Sequence, residues 1–218
     1  MTLNKTHPLE LAWREGRWEE ASPPLSEVVE FTNDLKRDGA KTILDLGCGA
    51  GRHSILLSKD GFKVVALDIS ETALKILGDR LKTASIANVT LVKHDMWELP
   101  FVDDYFDGVL CTNVLHHGRL VQIKQATREG HRVMKGGASA FVVALSTADF
   151  RRGNGRKLEP NTYVFMEGEE RGIIHHFFPR QELQSCFRKF EIVSFEERLI
   201  PIEEGGSRAH FLVKLRKP

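Results

Sequence analysis

The chain has 218 residues with 31 basic and 30 acidic side chains, and 41% of its residues are hydrophobic, which is typical of a single globular domain. A net charge of +1 argues against a protein that coats nucleic acid or anionic lipid, because such affinity grows with the number of phosphates neutralised. The three cysteines, Cys48, Cys111 and Cys186, are far apart and predict neither a disulfide framework nor a zinc site. No segment approaches the roughly 18 apolar residues of a membrane span, and the N-terminus lacks a signal peptide, so we expect a cytoplasmic location.

Helices and strands alternate along the first two thirds of the chain. Val28, Phe31 and Leu35 recur at helical spacing, and Gly39 ends that helix. Strands rich in β-branched and other apolar residues are predicted at 42–46, 62–67, 89–92, 106–111 and 138–145. Helices are predicted at 52–59, after the capping residue Ser70, and at 120–134, and the pair Gly136-Gly137 is predicted to form a turn.

This order predicts an α/β fold, a doubly wound, mostly parallel seven-stranded sheet with an antiparallel last strand and helices on both faces. Near its end the chain departs from the alternation. Pro179 begins a helix, and strands at 190–195 and 209–215 are joined by too few residues for a crossover helix, which predicts an antiparallel pair. The segment 146–178 is polar and shows little periodicity, so we expect a functional loop there.

The first strand leads directly into a glycine-rich turn and then a helix. Alternating glycines, Gly47, Gly49 and Gly51, let the backbone turn sharply and approach a ligand, and the helix start favours an anionic group. A dinucleotide fingerprint would have glycine or alanine where Arg52 stands, so the fit to NAD is poor. Asp45 disfavours a phosphate and favours an ammonium group. S-adenosylmethionine has that ammonium, a carboxylate for the helix end and no phosphate.

Acidic side chains also follow the next two strands. Asp68 ends the second strand, where a carboxylate can accept hydrogen bonds from both ribose hydroxyls. Asp95 and Met96 follow the third strand, where an acidic side chain and a backbone N–H suit the adenine amino group and ring nitrogen. Three carboxylates after three consecutive strands favour this cofactor over a merely structural turn.

Four segments in order resemble the class I, Rossmann-like S-adenosylmethionine-dependent methyltransferases: ILDLGCGAGRH, VVALDIS, VKHDMWELPFVDDYFDGVLCTNVLHH and GHRVMKGGASAFVV. The small-molecule, type 11/25-like members are the most similar, and the tryptophans near the N-terminus with GEERGIIHHFFPRQEL also resemble tellurite-resistance and thiopurine methyltransferases. The resemblance divides the chain into an N-terminal helical lid (1–40), a cofactor-binding core (41–145), a substrate-side insertion (146–178) and a C-terminal part (179–218).

The same resemblance implies contacts between individual residues and the cofactor. The methionyl end is assigned to Asp45, Gly47 and Gly49, the ribose to Asp68, the adenine to Asp95 and Met96, and the sulfonium region to Asn113 and Val114. Cys48 and Ile69 lie in the same loops and complete the predicted cofactor-binding residues.

Two histidines follow the fourth strand, close to the expected position of the transferred methyl group. Because neighbours in sequence point in different directions, we expect at most one of His116 and His117 to face the site, where it is the candidate general base. The alternative is a polar loop without a catalytic part. His175 and His176 raise the same question further along the chain.

Side chains outside the core have both a packing and a binding interpretation. Trp13 and Trp18 do not share one helical face, which favours hydrophobic packing, with a lid over the cofactor as the second interpretation. Six basic side chains either hold an anionic acceptor or are merely solvated: Arg14, Arg17, Arg151, Arg152, Arg156 and Lys157. Three acids before the fourth strand indicate a solvated turn rather than a metal cluster: Asp103, Asp104 and Asp107.

The sequence thus predicts in-line transfer of a methyl group from S-adenosylmethionine to a small-molecule acceptor, without a metal. No Asn-Pro-Pro-aromatic motif begins at Asn113, and Cys111 does not follow a proline, so DNA methylation is disfavoured. RNA or protein methylation, and a non-catalytic protein that binds the cofactor, remain the alternatives. We expect no membrane partner and a monomer or homodimer.

Overall fold

The computed structural model describes residues 6–18, 22–203 and 205–218. The chain begins with helices α1 (Pro8–Arg14) and α2 (Ser26–Arg37). The core then comprises β1 (Thr42–Leu46), α3 (Arg52–Lys59), β2 (Lys63–Asp68), α4 (Glu71–Thr83), β3 (Val89–Lys93), β4 (Phe106–Thr112), α5 (Leu120–Val133) and β5 (Met134–Leu145). The remainder comprises β6 (Arg156–Glu159), β7 (Thr162–Val164), β8 (Ile174–His176), α6 (Arg180–Cys186), β9 (Glu191–Pro201) and β10 (Ser207–Arg216).

Seven strands form one sheet in the order β3-β2-β1-β4-β5-β10-β9. The first five pair in parallel, whereas β10 is antiparallel to both β5 and β9. This arrangement confirms the predicted fold class. The chain moves outward from β1 to β3 and then returns to place β4 on the other side of β1. The carboxyl ends of β1 and β4 therefore flank the crevice in which such sheets bind their ligands.

Helices cover both faces of the sheet because every central strand is apolar on both sides. One face packs Phe31 and Leu35 of α2 and Leu57 of α3 against the strands. The opposite face packs Ile123 of α5 and Leu183 of α6 against the strands. The strand β1 is buried from Ile43 to Leu46, as expected for a strand covered on both sides.

Two expectations from the sequence were wrong. Gly136 and Gly137 do not form a turn between α5 and β5 but belong to β5, where the backbone of Gly137 donates to Lys217 O at 2.8 Å. The segment 146–178 is not merely a loop, because β6, β7 and β8 form a small antiparallel sheet within it. Its strands are three or four residues long, too short to show an alternating pattern in the sequence. Among the described residues, none of the helices combines the length and apolarity that crossing a bilayer requires.

Candidate active site

A cavity of about 450 Å³ lies at the carboxyl ends of β1, β2 and β4. Its wall combines the glycine loop after β1 with the ends of the neighbouring strands, and two tryptophans of the N-terminal segment complete it. The predicted site residues in this wall are Gly47, Cys48, Gly49, Asp68, Ile69, Asp95, Met96, Asn113, Val114 and His117. The structure thus brings together residues from four separate strand ends.

The glycine loop has a backbone that only glycine adopts without strain. Gly47, Gly49 and Gly51 have φ angles of 73°, 53° and 81°, in the left-handed region. A Cβ at Gly47 would lie 2.3 Å from a methyl group of Val114, and one at Gly51 would lie 2.1 Å from Leu77. The glycines therefore allow the loop to pack against the neighbouring elements and keep its backbone open to the cavity.

Asp68 lies where the sequence predicts a ribose-binding carboxylate. Its Oδ2 accepts a hydrogen bond from the Gly49 backbone at 2.9 Å, and its Oδ1 accepts one from Ser70 at 2.8 Å. Burial raises the pKa of this carboxyl, although these backbone hydrogen bonds oppose the shift. Two fixed N–H donors hold the carboxylate in the wall, and its remaining lone pairs can accept hydrogen bonds from a ligand.

Asp45 differs from the expectation, because it does not line the cavity. Its carboxylate is buried behind the glycine loop and accepts a hydrogen bond from Ser54 Oγ at 2.5 Å. Burial raises the pKa of Asp45 to about 6, with the hydrogen bond from Ser54 opposing and the charge of Asp68 adding to the shift. The assignment of Asp45 to direct contact with the methionyl end is therefore corrected to a role in fixing α3 against β1.

The other cofactor residues line the cavity as predicted. Asp95 Oδ1 accepts a hydrogen bond from the Trp97 backbone at 3.3 Å, and burial raises the pKa of Asp95. Asn113 has a left-handed φ of 59°, and its backbone donates to Val143 O at 3.0 Å. Its buried Oδ1 has no hydrogen-bond partner within the described part of the chain, so a ligand donor would satisfy it. The wall therefore fits an adenosyl group carrying an amino acid.

Of the two candidate bases, only His117 reaches the cavity. His116 is buried behind it, and its Nδ1 accepts a hydrogen bond from the Leu145 backbone at 3.3 Å. The Nδ1–H of His117 donates to Ile174 O at 3.3 Å, which leaves the Nε2 lone pair of His117 available. Burial and the neighbouring His175 lower the pKa of His117 to about 3, so the ring is neutral near pH 7.

The later pair of histidines does not line the cavity. His176 lies between Thr162 Oγ1 at 2.7 Å and Glu182 Oε1 at 2.8 Å, which makes it a link between β7 and α6. His175 is fully buried and stacks on Phe165 with ring centroids 4.3 Å apart. Its ring lies behind that of His117, 4.8 Å away.

The N-terminal segment contributes two tryptophans to the cavity wall, and the lid over the cofactor stays a prediction. Trp13 and Trp18 both line the cavity and meet edge to face at 5.4 Å. Trp13 also lies 3.1 Å from the position of a Cβ on Gly49. Glu10 anchors α1 on α4 by accepting hydrogen bonds from Ser70 Oγ at 2.6 Å and Thr72 Oγ1 at 2.7 Å.

Several wall residues were not predicted from the sequence: Arg52, His53, Trp97, Glu170 and Arg208. His53 adjoins the glycine motif, where its Nε2 accepts from Leu25 N at 3.3 Å and its Nδ1 contacts Thr112 Oγ1 at 3.1 Å. Glu170 lies in the GEERG segment, but only the folded chain places it beside His117. Arg208 is the second residue of β10, just after the glycine pair of the hairpin. No sequence motif marks it as a site residue.

Three of the six basic side chains proposed for an anionic acceptor have protein partners. Arg17 donates to Glu169 O at 2.7 Å and Arg171 O at 3.1 Å, and thus joins the N-terminal segment to the insertion. Arg151 pairs with Asp149 at 2.8 Å. Arg152 Nη2 donates to Asn161 Oδ1, whereas Arg14, Arg156 and Lys157 are exposed.

Asp103 and Asp104 before β4, and Asp107 at its start, hold this surface region together by ion pairs rather than forming a cluster. They pair with three different cations: Asp103 with Arg132, Asp104 with Lys217, and Asp107 with Lys135. No group of His, Cys, Asp and Glu side chains suited to a metal ion occurs in residues 6–18, 22–203 and 205–218. Burial raises the pKa of Cys48 well above its usual value, so its thiol is not a nucleophile near pH 7.

The sequence of the core matches a known family. Residues 43–137 match the family model described as a methyltransferase domain. This match confirms the predicted methyltransferase core. Demethylmenaquinone methyltransferase from Listeria welshimeri is 32% identical to this chain over 133 residues, which are 60% of this chain and 52% of that protein. The chain therefore spans about half the length of the relatives that it matches.

Solved structures share the fold over most of the chain. A SAM-dependent methyltransferase from Methanosarcina mazei has a TM-score of 0.70 at 22% identity and covers 81% of this chain and 92% of its own. The 1,6-didemethyltoxoflavin-N1-methyltransferase from Burkholderia thailandensis, with bound 1,6-didemethyltoxoflavin and S-adenosylhomocysteine, has a TM-score of 0.66 at 19% identity and covers 95% of this chain and 84% of its own. At these identities the likeness establishes the fold.

Proposed function

We propose that this chain, whose residues 43–137 are a methyltransferase domain, binds S-adenosylmethionine at the glycine loop and transfers its methyl group to a small-molecule acceptor. One observation carries the proposal. The carboxylate of Asp68 lines the cavity beside a glycine loop that leaves its backbone open, at the switch point of the sheet. The toxoflavin methyltransferase has the same fold with S-adenosylhomocysteine bound, which supports this assignment.

The wall offers a partner for each part of the proposed ligand. The start of α3 and the Arg52 guanidinium suit the methionyl carboxylate. Asp68 suits the ribose hydroxyls, and Asp95 suits the adenine amino group. The unpaired Oδ1 of Asn113 suits a donor near the sulfonium end. These assignments use the two acidic side chains, Asp68 and Asp95, that the next two strand ends place in the wall.

The reaction that this site supports is an in-line displacement. Bound S-adenosylmethionine supplies an activated methyl group and a neutral thioether as leaving group. The chain holds the acceptor in line and excludes water with Trp13 and Trp18. Holding two reactants in near-attack geometry contributes about 7–11 kcal/mol to lowering the barrier. His117, whose imidazole is neutral at pH 7, can accept a hydrogen bond or proton from the acceptor.

The size of the cavity favours a small acceptor. A volume of about 450 Å³ lies within the range of about 300–1,000 Å³ typical of small-molecule sites, and the adenosyl group takes up part of it. An RNA-binding groove would need free basic side chains beside the cavity, for which segment 151–157 is the candidate, but its Arg151 pairs with Asp149 and Glu170. This pairing weakens the case for an RNA-binding groove.

Calorimetry with purified protein tests the cofactor first. We expect micromolar binding of S-adenosylmethionine and S-adenosylhomocysteine and no heat with NAD(H); the reverse would overturn the proposal. Release of S-adenosylhomocysteine is then measured with thiols, amines, phenols and metalloid oxyanions. Cofactor binding without turnover of any small acceptor would instead favour the non-catalytic or macromolecular alternatives.

A further inference from the structure

Glu170 brings a carboxylate into the part of the cavity wall that the proposed cofactor does not use. It belongs to the insertion, and it lines the cavity together with His117. Its Oε2 lies 3.2 Å from Arg151 Nη1, and its Oε1 lies 3.4 Å from His175 Nε2. Burial would raise the pKa of Glu170, but His175 and Arg151 oppose it and hold that pKa at about 2. The side chain is therefore anionic at neutral pH.

Arg151 does not neutralise this carboxylate alone, because it is shared between two acids. Its Nε lies 2.8 Å from Oδ1 of the buried Asp149, closer than its contact with Glu170. Two carboxylates therefore share one guanidinium, and Glu170 has the longer of the two contacts with it. Arg208 also lines the cavity, but it is exposed, so water and salt screen its charge.

The surroundings of Glu170 suit a cation with an apolar body. Trp13 and Trp18 present aromatic rings to the same cavity, and aromatic faces attract ammonium groups. His117 adds a neutral imidazole that retains one lone pair. The wall thus holds an anion, a neutral hydrogen-bond acceptor and aromatic rings.

We propose that the methyl acceptor is an amine, whose nitrogen is held by Glu170 and His117. This inference rests on the methyltransferase function proposed above. A neutral primary amine, the case that both partners fit, has two N–H groups and one lone pair. Donation of two N–H groups to Glu170 and His117 leaves the lone pair free to face the methyl carbon.

The transfer step explains why a carboxylate belongs there. The ammonium form first loses one proton to solvent. The nitrogen lone pair then forms a bond to the methyl carbon, the carbon–sulfur bond breaks, and its electron pair stays on sulfur. Positive charge moves from sulfur to nitrogen, so a carboxylate beside the nitrogen is favoured more in the transition state than before it. An oxygen or thiol acceptor that reacts as an anion would be repelled by the same carboxylate.

Matched probes on one carbon skeleton test the inference. Protein saturated with S-adenosylhomocysteine is titrated with 2-phenylethylamine, 2-phenylethanol and 3-phenylpropanoate, and binding is measured by calorimetry. We expect the amine to bind at least about tenfold tighter than the alcohol and the carboxylate to bind most weakly, as charge-assisted hydrogen bonds predict. Mass spectrometry with S-adenosylmethionine then checks for N-methylated product.

Glu170→Gln removes the charge and keeps the shape. We expect the variant to bind the amine only about as tightly as the alcohol. Glu169→Gln, at an exposed neighbouring position, is the matched control and should leave the preference unchanged. If Glu170→Gln does not fold, the affinities of the three probes for the unaltered chain still test the inference. Amine binding no tighter than alcohol binding, including no binding of any probe at millimolar concentration, overturns the inference. Failure of S-adenosylhomocysteine to bind would instead overturn the proposed function.

Discussion

Two of the acidic side chains that line the cavity, Asp68 and Glu170, are held in different ways. Asp68, on the core side, is fixed by backbone N–H groups of Gly49 and Ser70. Glu170, on the insertion side, is fixed by side chains, Arg151 and His175. Backbone donors come with the fold, whereas side-chain partners change with single substitutions. The core side of this cavity is therefore set by strand and loop geometry, whereas the insertion side is set by individual side chains.

The largest effect is expected at the glycine loop, where backbone geometry is decisive. Gly51→Ala places a Cβ at a φ of 81° and 2.1 Å from Leu77. Left-handed strain of about 1–2 kcal/mol and overpacking of about 1–3 kcal/mol should lower the free energy of unfolding by roughly 2–5 kcal/mol in urea titrations. Gly130→Ala, in α5 with nothing within 4 Å, is the control and should stabilise the chain by about 0.5–1 kcal/mol. An unchanged stability in Gly51→Ala would contradict the loop geometry.

Lowering the pH should destabilise the folded chain through His53, which is buried beside the same loop. Burial and the charge of Arg52 lower the pKa of His53 from 6.5 to about 3. Below pH 6.5 the unfolded chain therefore binds a proton that the folded chain does not, and stability falls as the pH decreases toward 3. His53→Gln should remove about 1.4 kcal/mol per pH unit from the slope of unfolding free energy between pH 4 and 6. Parallel curves for the two proteins would show that His53 titrates normally.

Asp68→Ala tests the core side of the comparison directly. We expect S-adenosylmethionine affinity to fall by about 1.5–3 kcal/mol in calorimetry, as for hydrogen bonds to a charged group. Asp79→Ala, on the exposed face of α4, serves as the control. Unchanged affinity in a folded Asp68→Ala protein would mean that the ribose lies elsewhere.

The smallest effect is expected where the N-terminal segment meets the insertion. Arg17→Ala removes hydrogen bonds to Glu169 O and Arg171 O, and should weaken closure by about 1 kcal/mol. Acrylamide should then quench tryptophan fluorescence more strongly, because Trp13 and Trp18 become more accessible. Arg14→Ala, at an exposed position, should leave quenching unchanged. Equal quenching in both variants would argue that closure does not depend on Arg17.

The core was predictable because its signals are local. Apolar runs mark the strands, and alternating glycines mark the turn after β1, so the sequence could predict that Asp68 and Asn113 lie at one edge of the sheet, where both line the cavity. Asp45 was placed in the correct strand but not on the correct side. Side chains alternate along a strand, and the side chain of Asp45 faces Ser54 of α3 rather than the cavity.

The acceptor side was not predictable in the same way, because its contacts join distant segments. Arg17 and Glu169 are 152 positions apart, and the strands around Glu170 are too short to show a period. Whether Trp13 packs or covers the cavity depends on how α1 docks on α4, which Glu10 achieves through Ser70 and Thr72. No local pattern in the sequence encodes that long-range contact.

The N-terminal segment is anchored twice, on α4 through Glu10 and on the insertion through Arg17. Trp13, between these anchors, lies over the glycine loop. We expect a ligand at the glycine loop to stay bound longer when both anchors are formed, so its residence time would depend on contacts remote from the reacting atoms. In a turnover cycle, we expect release of the spent cofactor to be slower than methyl transfer.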